Sequence, residues 1–162
     1  MAGRRTLVVV RHAKSDWSAA LPDWQRPLAE RGRRDAPVIG AWLADQVGAV
    51  DLVLCSPAER ARQTWRLAGA RLDPAPPVRE DQRIYAASPT QLLTVLAELP
   101  DELHRVILVG HNPGLTELVE HLCGEPVELK TSAVAVLSWP GSWIDADSHP
   151  ASLDAVTTAR AG

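Results

Sequence analysis

Short apolar runs alternate along the chain with stretches whose apolar positions recur every three or four residues. Residues 7–10, Leu-Val-Val-Val, are apolar on both faces, as a strand buried in the middle of a sheet must be. Residues 51–55, 105–109 and 133–137 repeat that pattern. Between them, helical spacing joins Val38, Ile39, Trp42, Leu43 and Val47, then Leu92, Leu93, Leu96 and Leu99, then Leu115, Leu118, Val119 and Leu122. Start signals sharpen these elements. Ser56-Pro57-Ala58-Glu59 and Ser88-Pro89-Thr90-Gln91 both have the form of a capping box with proline at the first helical position. The first predicts a helix starting directly after the second strand. Asn112-Pro113 opens a further helix, and Gly124 is its natural stop. Pro37 fits only a first turn without a kink, so the earliest helix is expected to start near Asp35 or to bend there. Residues 71–79, with Pro74, Pro76 and Pro77, read as a rigid loop. Residues 145–162 lack periodicity and are expected to be a loosely ordered tail behind one domain spanning residues 1–144. Strands alternating with helices predict an α/β layer fold.

Composition narrows what such a domain does. The 162 residues carry 17 basic and 20 acidic side chains, a net charge of −3, so no basic surface for nucleic acid or anionic lipid is indicated. Only Lys14 and Lys130 are lysines, which makes 15 of the 17 cations arginine and a single Arg uninformative. Phenylalanine is absent, so Leu, Val, Ala and the six Trp must fill the core. Two cysteines, Cys55 and Cys123, exclude a disulfide framework. No apolar run approaches the roughly 20 residues of a membrane span, and the one ending at Arg11 is too short for a signal peptide. A cytoplasmic protein is expected.

In an open α/β sheet, ligands bind beyond the carboxyl ends of the strands. Three polar segments fall there: Arg11-His12-Ala13-Lys14-Ser15-Asp16-Trp17, Ser56 through Arg62, and Gly110-His111-Asn112-Pro113-Gly114. Taken singly, each has a plain structural reading: Arg11 and Arg60 as surface arginines, His12 and His111 as turn and helix-entry residues. Together they bring two histidines and at least two arginines to helix N-termini, a combination suited to phosphate oxygens and to nucleophilic or proton-transfer chemistry. Competing motifs fail on spacing. No phosphate-binding Gly-Lys loop or dinucleotide turn is present. Four residues separate Cys55 from Arg60 and six separate it from Arg62, whereas a cysteine phosphatase needs five between its cysteine and arginine. His12, His111 and His121 lack the spacing of a zinc site, and no metal or other cofactor is expected.

These residues resemble the histidine phosphatase superfamily. Val10-Arg11-His12-Ala13 is similar to its Arg-His-Gly signature, Ser56-Pro57 through Arg60-Ala61 and Thr64 to its second arginine motif, and Gly110-His111 to its second histidine. Asp23-Trp24-Gln25-Arg26-Pro27-Leu28 adds a fourth match, of the kind found in the compact SixA-type phosphohistidine phosphatases. The resemblance implies a phosphoglycerate mutase-like, three-layer α/β/α sandwich with a mostly parallel central sheet and no large cap. It implies His12 as the nucleophile that accepts the phosphoryl group, Arg11 and Arg60 as its grip, and His111 as a stabiliser of transition-state charge. Ser15, Ser18 and Asn112 are weaker substrate-binding candidates, and Arg26 reads as mainly structural. Larger relatives place a glutamate acid three residues before a tyrosine. Here Gln82 stands at that spacing before Tyr85, so Asp81, Glu80 and Asp16 are the candidates for a general acid, or there is none.

Metal-independent hydrolysis through a phosphohistidine intermediate is the expected activity. The expected substrate is phosphohistidine on a protein, such as a histidine phosphotransfer domain. A small phosphate ester is the alternative substrate, and a non-catalytic phosphate-binding module the alternative class. Neither a nucleic-acid nor a membrane partner is expected, and the chain is expected to be a monomer or weak dimer.

Overall fold

The computed structural model describes residues 3–162; Met1 and Ala2, at the head of the segment judged too short for a signal peptide, lie outside the described residues. Six strands form one sheet: β1 (Arg4–Arg11), β2 (Leu52–Cys55), β3 (Val78–Glu80), β4 (Arg105–Gly110), β5 (Ala133–Pro140) and β6 (Ser152–Thr158), in the order β3-β2-β4-β1-β5-β6. β1, β2, β3 and β4 pair in parallel, whereas β5 and β6 run antiparallel. Alternate side chains of the central strands feed two separate cores. Val8, Val10, Val53, Ile107 and Val109 pack with α1 (Glu30–Gln46) and α2 (Glu59–Gly69) on one face. Leu7, Val9, Leu54, Val106 and Leu108 pack with α3 (Pro89–Ala97) and α4 (Gly114–Cys123) on the other. The result is three layers with β1 and β4 at the centre, covered on both sides, which is why their sequences are apolar throughout.

Helix signals were obeyed unevenly. Ser88 and Gln91 form the reciprocal capping box of α3, the serine hydroxyl accepting from the Gln91 amide at 3.2 Å and the glutamine oxygen accepting from the Ser88 amide at 2.8 Å. The Ser56 box does not form. Helix α2 begins at Glu59 with Ala58 as an unassisted cap. The Ser56 amide still belongs to the sheet, donating to Val109 O at 3.1 Å, and its hydroxyl meets His111 and the amide of Ala58 rather than an amide within α2. Helix α1 starts five residues before Asp35, at Glu30, and runs on through Pro37. Tertiary packing outweighs the proline here. Leu28 and Ala36 close on Ala13 behind the first motif, and a Cβ at Gly32 would collide with the Lys14 carbonyl, so this turn of helix lies directly against the loop that follows β1.

Two expectations for loops require correction. Residues 78 and 79, at the end of the expected loop, belong instead to the exposed edge strand β3, paired with β2. Residues 145–162 are not a loose tail: they contain β6, and Ala161 N donates to Asp35 Oδ1 at 2.9 Å while Arg160 reaches Thr131 O at 2.6 Å. Strand β6 buries neither face fully, so its Ser-Leu-Asp-Ala-Val-Thr-Thr sequence needs no apolar alternation. Among the described residues no helix is long and apolar enough to cross a membrane.

Candidate active site

The carboxyl ends of β1, β2 and β4 lie side by side, because β4 pairs with both of its parallel neighbours. Arg11 closes β1, and His12 follows with its amide on Gly110 O at 3.1 Å, one residue before His111. Ring centroids of His12 and His111 are 5.2 Å apart. Helix α2 brings Arg60 to the same place. Thr64, one turn later and wholly buried, accepts from the Ala13 amide at 3.0 Å and donates to Arg60 O at 2.7 Å, riveting the arginine helix to the histidine loop. Alanine at position 13 is unstrained there, since among the described residues positive φ at a non-glycine occurs only at Ala86 and Ser132.

Each histidine has one ring nitrogen engaged. His12 Nδ1 lies 2.7 Å from the carbonyl oxygen of Ala13. A carbonyl can only accept, so Nδ1 carries the proton and Nε2 carries the free lone pair. His111 Nε2 lies 2.7 Å from Ser56 Oγ, and the edge of Tyr85 meets the His111 ring at 5.6 Å. Burial pushes the His12 pKa down to about 4, with Arg60, Arg11 and Arg26 adding repulsion of a second positive charge. Burial also lowers that of His111, to about 3, assisted by His12 and Arg60. Both rings are therefore neutral at pH 7.

Around them stand buried polar nitrogens without a partner. Arg11 Nε, Arg60 Nε and His111 Nδ1 have no hydrogen-bond partner among the described residues. Leaving buried donors unpaired is costly unless an acceptor joins them in use. Arg11 is otherwise anchored by Nη1 on Leu129 O at 2.9 Å.

Asp23, in a short 3-10 turn, organises the other cations. It receives Arg60 on its backbone oxygen at 2.7 Å and on Oδ2 at 2.9 Å, Arg26 on Oδ1 at 3.1 Å, and the Tyr85 hydroxyl on Oδ2 at 2.6 Å. These donors, Tyr85 foremost, hold its pKa down to about 2. Arg26, nearly fully buried, also donates to Ser15 Oγ at 2.7 Å and stacks on Trp17 at 3.4 Å. Sequence reasoning missed Asp23, Tyr85 and Ser56 as site residues and read Arg26 as mainly structural. The clustering of Asp23 and Arg26 within one motif was the available signal.

The remaining candidates divide. Ser15 is buried beside the cluster, its hydroxyl held by Arg26. Ser18 is exposed, its amide on Asp16 Oδ1, and is not brought in. Asn112 spends its amide on Leu129 O and on Thr116, leaving it a brace between α4 and the chain before β5. Glu80 is forked onto Arg62, and Asp81 caps the turn at Gln82–Ile84 and binds Arg83. Among the described residues no group of three or more His, Cys, Asp or Glu side chains is placed to hold a metal ion.

A sequence model of the histidine phosphatase superfamily, branch 1, matches residues 7–85. An uncharacterized protein of Mycobacterium tuberculosis is 37% identical over 155 residues, 89% of this chain and 96% of that one. Among solved structures, a SixA protein of Nakamurella multipartitia, assigned as a phosphohistidine phosphatase, superposes with a TM-score of 0.86 at 32% identity, over 98% of both chains. The protein histidine phosphatase SixA, solved with tungstate, gives 0.81 at 25% identity over 94% of this chain and 96% of that one. Motifs spread over three strand ends thus agree with the fold as a whole, phosphoglycerate mutase-like and compact without a cap, and the chain belongs to the histidine phosphatase superfamily, in its SixA-type branch.

Proposed function

We propose that this phosphatase removes phosphate from phosphohistidine carried on a protein, through a phosphohistidine intermediate on His12. The nucleophile is Nε2. Its ring is buried and neutral, with Nδ1 fixed on Ala13 O, so the lone pair needs no base to free it. Attack forms the Nε2–P bond as the bond from phosphorus to the leaving group breaks. Water then attacks the phosphoryl group on His12, the Nε2–P bond breaks, and inorganic phosphate departs with the proton. Arg11, Arg60 and the unpaired Nδ1 side of His111 surround the developing charge. Phosphoryl transfer asks mainly for placement and charge neutralisation, which guanidinium groups supply here in a mechanism written without a metal ion. Tungstate in a related SixA structure is an oxyanion of the shape this cluster would accept.

The observation that carries the substrate class is the state of the carboxylates. An alkyl phosphate needs a positioned acid to protonate its leaving oxygen. Glu80 and Asp81 are committed to arginines, Asp16 accepts from Ser18, and Asp23 is held ionised by three side chains. Gln82 offers only an amide on the cleft of about 320 Å³ that it lines with Trp24, Pro57, Ala58, Arg62 and Tyr85. An imidazole leaving group protonated on its distal nitrogen departs neutral and needs no such acid. The rim also suits a protein: Trp17 and Trp24 are exposed at 70% and 53%.

The test is kcat/KM measured in one buffer on a phosphohistidine protein, a phosphoserine peptide and a panel of small phosphate esters. The phosphohistidine protein should lead. An ester turned over at least tenfold better would replace this reading with a small-molecule phosphatase, and no turnover of any substrate would leave a phosphate-binding module.

A further inference from the structure

Ser56 has no part in the helix its sequence predicts, and its actual bonds determine what His111 does. Its hydroxyl is completely buried and has two neighbours: the Ala58 amide, which donates to it at 3.2 Å, and His111 Nε2 at 2.7 Å. An amide N–H can only donate, so one lone pair of Oγ is occupied and its own proton still needs an acceptor. Were Nε2 to carry a proton and donate, the hydroxyl hydrogen would be stranded in a buried site, a cost of the kind native structures avoid. The arrangement that places every proton has Ser56 Oγ–H donating to an unprotonated Nε2.

We propose that Ser56 is a positioning residue that fixes His111 as the Nδ1–H tautomer. The ring is otherwise set by its neighbours, with His12 at 5.2 Å and the Tyr85 edge at 5.6 Å. Nδ1, the atom without a partner, is then an N–H donor and not a lone pair. It joins Arg11 Nε and Arg60 Nε as the third unpaired N–H at this site. With Nδ1 bare, a lone pair would face the phosphoryl oxygens and repel them. His111 therefore works as a neutral hydrogen-bond donor to the phosphoryl group, not as a base. His12 and His111 are made different by what holds them: a carbonyl, which leaves a nucleophilic Nε2, and a hydroxyl, which leaves a donating Nδ1–H.

The role at the phosphoryl group rests on the proposed phosphatase reading; the tautomer does not, and the experiment separates them. In ¹⁵N-labelled full-length protein without ligand, long-range histidine correlation spectra should show His111 Nδ1 as pyrrole-type and Nε2 as pyridine-type. Ser56→Ala should release a mixture of tautomers and lower kcat roughly 10–100-fold, the scale seen when a partner that orients a functional histidine is removed, with KM nearly unchanged. Ser56→Thr, which keeps the hydroxyl, should restore the Nδ1–H form and most of kcat. A protonated Nε2 in the unaltered protein overturns the proposal, and that spectrum decides even if the variants fail to fold. A fall in kcat in Ser56→Ala with the tautomer unchanged also overturns it. Absence of hydrolysis with the Nδ1–H form intact would remove the phosphatase reading while leaving the tautomer standing.

Discussion

Two arginine–carboxylate clusters lie within a few residues of each other on and around α2, and they differ in almost everything but composition. In the inner one, Asp23 binds Arg60 and Arg26, whose side chains are each 7% exposed, together with Tyr85. In the outer one, Glu80 holds Arg62, and Asp81 and Glu98 hold Arg83, with the arginine side chains 39% and 44% exposed. The outer bonds are as short, at 2.7 to 2.8 Å. Screening by water makes such pairs worth little. In the inner cluster Asp23 itself is 47% exposed, but the two arginines are buried beside two neutral histidines, where their guanidinium groups repel any proton added to His12. Geometry alone does not separate a working cluster from a surface one; burial beside a reactive group does.

Arg60→Ala should show the largest effect among the arginines. On the proposed mechanism its removal deletes a charge at the phosphoryl group and frees Asp23, and should cost on the order of 3–4 kcal/mol of transition-state stabilisation in kcat/KM. A loss under tenfold would mean that the inner cluster is structural.

Acid should act on the inner cluster selectively. Unfolded chain protonates His12 near its ordinary 6.5, while the folded chain resists until about 4. Between those values the unfolded state binds more protons, so stability falls as pH drops from 6.5 towards 4, by on the order of 3 kcal/mol from His12 alone. Urea titrations across this range should show the stability of the unaltered protein falling by about that amount relative to His12→Asn. For the same reason the acid limb of kcat/KM should lie well below pH 6.5.

Asp23→Asn keeps the shape and removes the charge that gathers three donors. Roughly tenfold loss in kcat/KM is expected, with the vanadate inhibition constant weakened in parallel, because the misplaced guanidinium groups bind oxyanions less well. Arg62→Ala should change kcat/KM by no more than about twofold, as expected for an exposed pair. A larger effect would extend the working cluster to the outer face of α2.

The two clusters also mark where the sequence was readable. Arg11, His12, Arg60 and His111 were legible because each follows a strand with a clear apolar pattern or opens the next helix, and parallel pairing does the rest. Glu80 and Asp81 drew attention through their place near Tyr85, yet Arg62, 18 residues before Glu80, and Arg83, two residues after Asp81, occupy their carboxylates. Asp23 went unrecognised because, apart from Arg26 three residues on, its partners lie 37 and 62 residues away, contacts that no local pattern encodes. Ser56 was misread for a related reason. Its local sequence satisfies a capping rule, and a histidine 55 residues later competes for the same hydroxyl. Strand β6 and its ties to Asp35 escaped because an edge strand buries too little to impose a hydrophobic period.

On the proposed mechanism, what makes the inner cluster more than a phosphate clamp is the neighbouring His12, whose Nε2 is left free by the bond of Nδ1 to Ala13 O. Brief reaction with ³²P-labelled phosphohistidine protein, quenched in alkali, should leave label on His12, stable in base and lost in acid, and absent from His12→Ala. Label that survives acid, or that persists in His12→Ala, would contradict a nucleophilic His12.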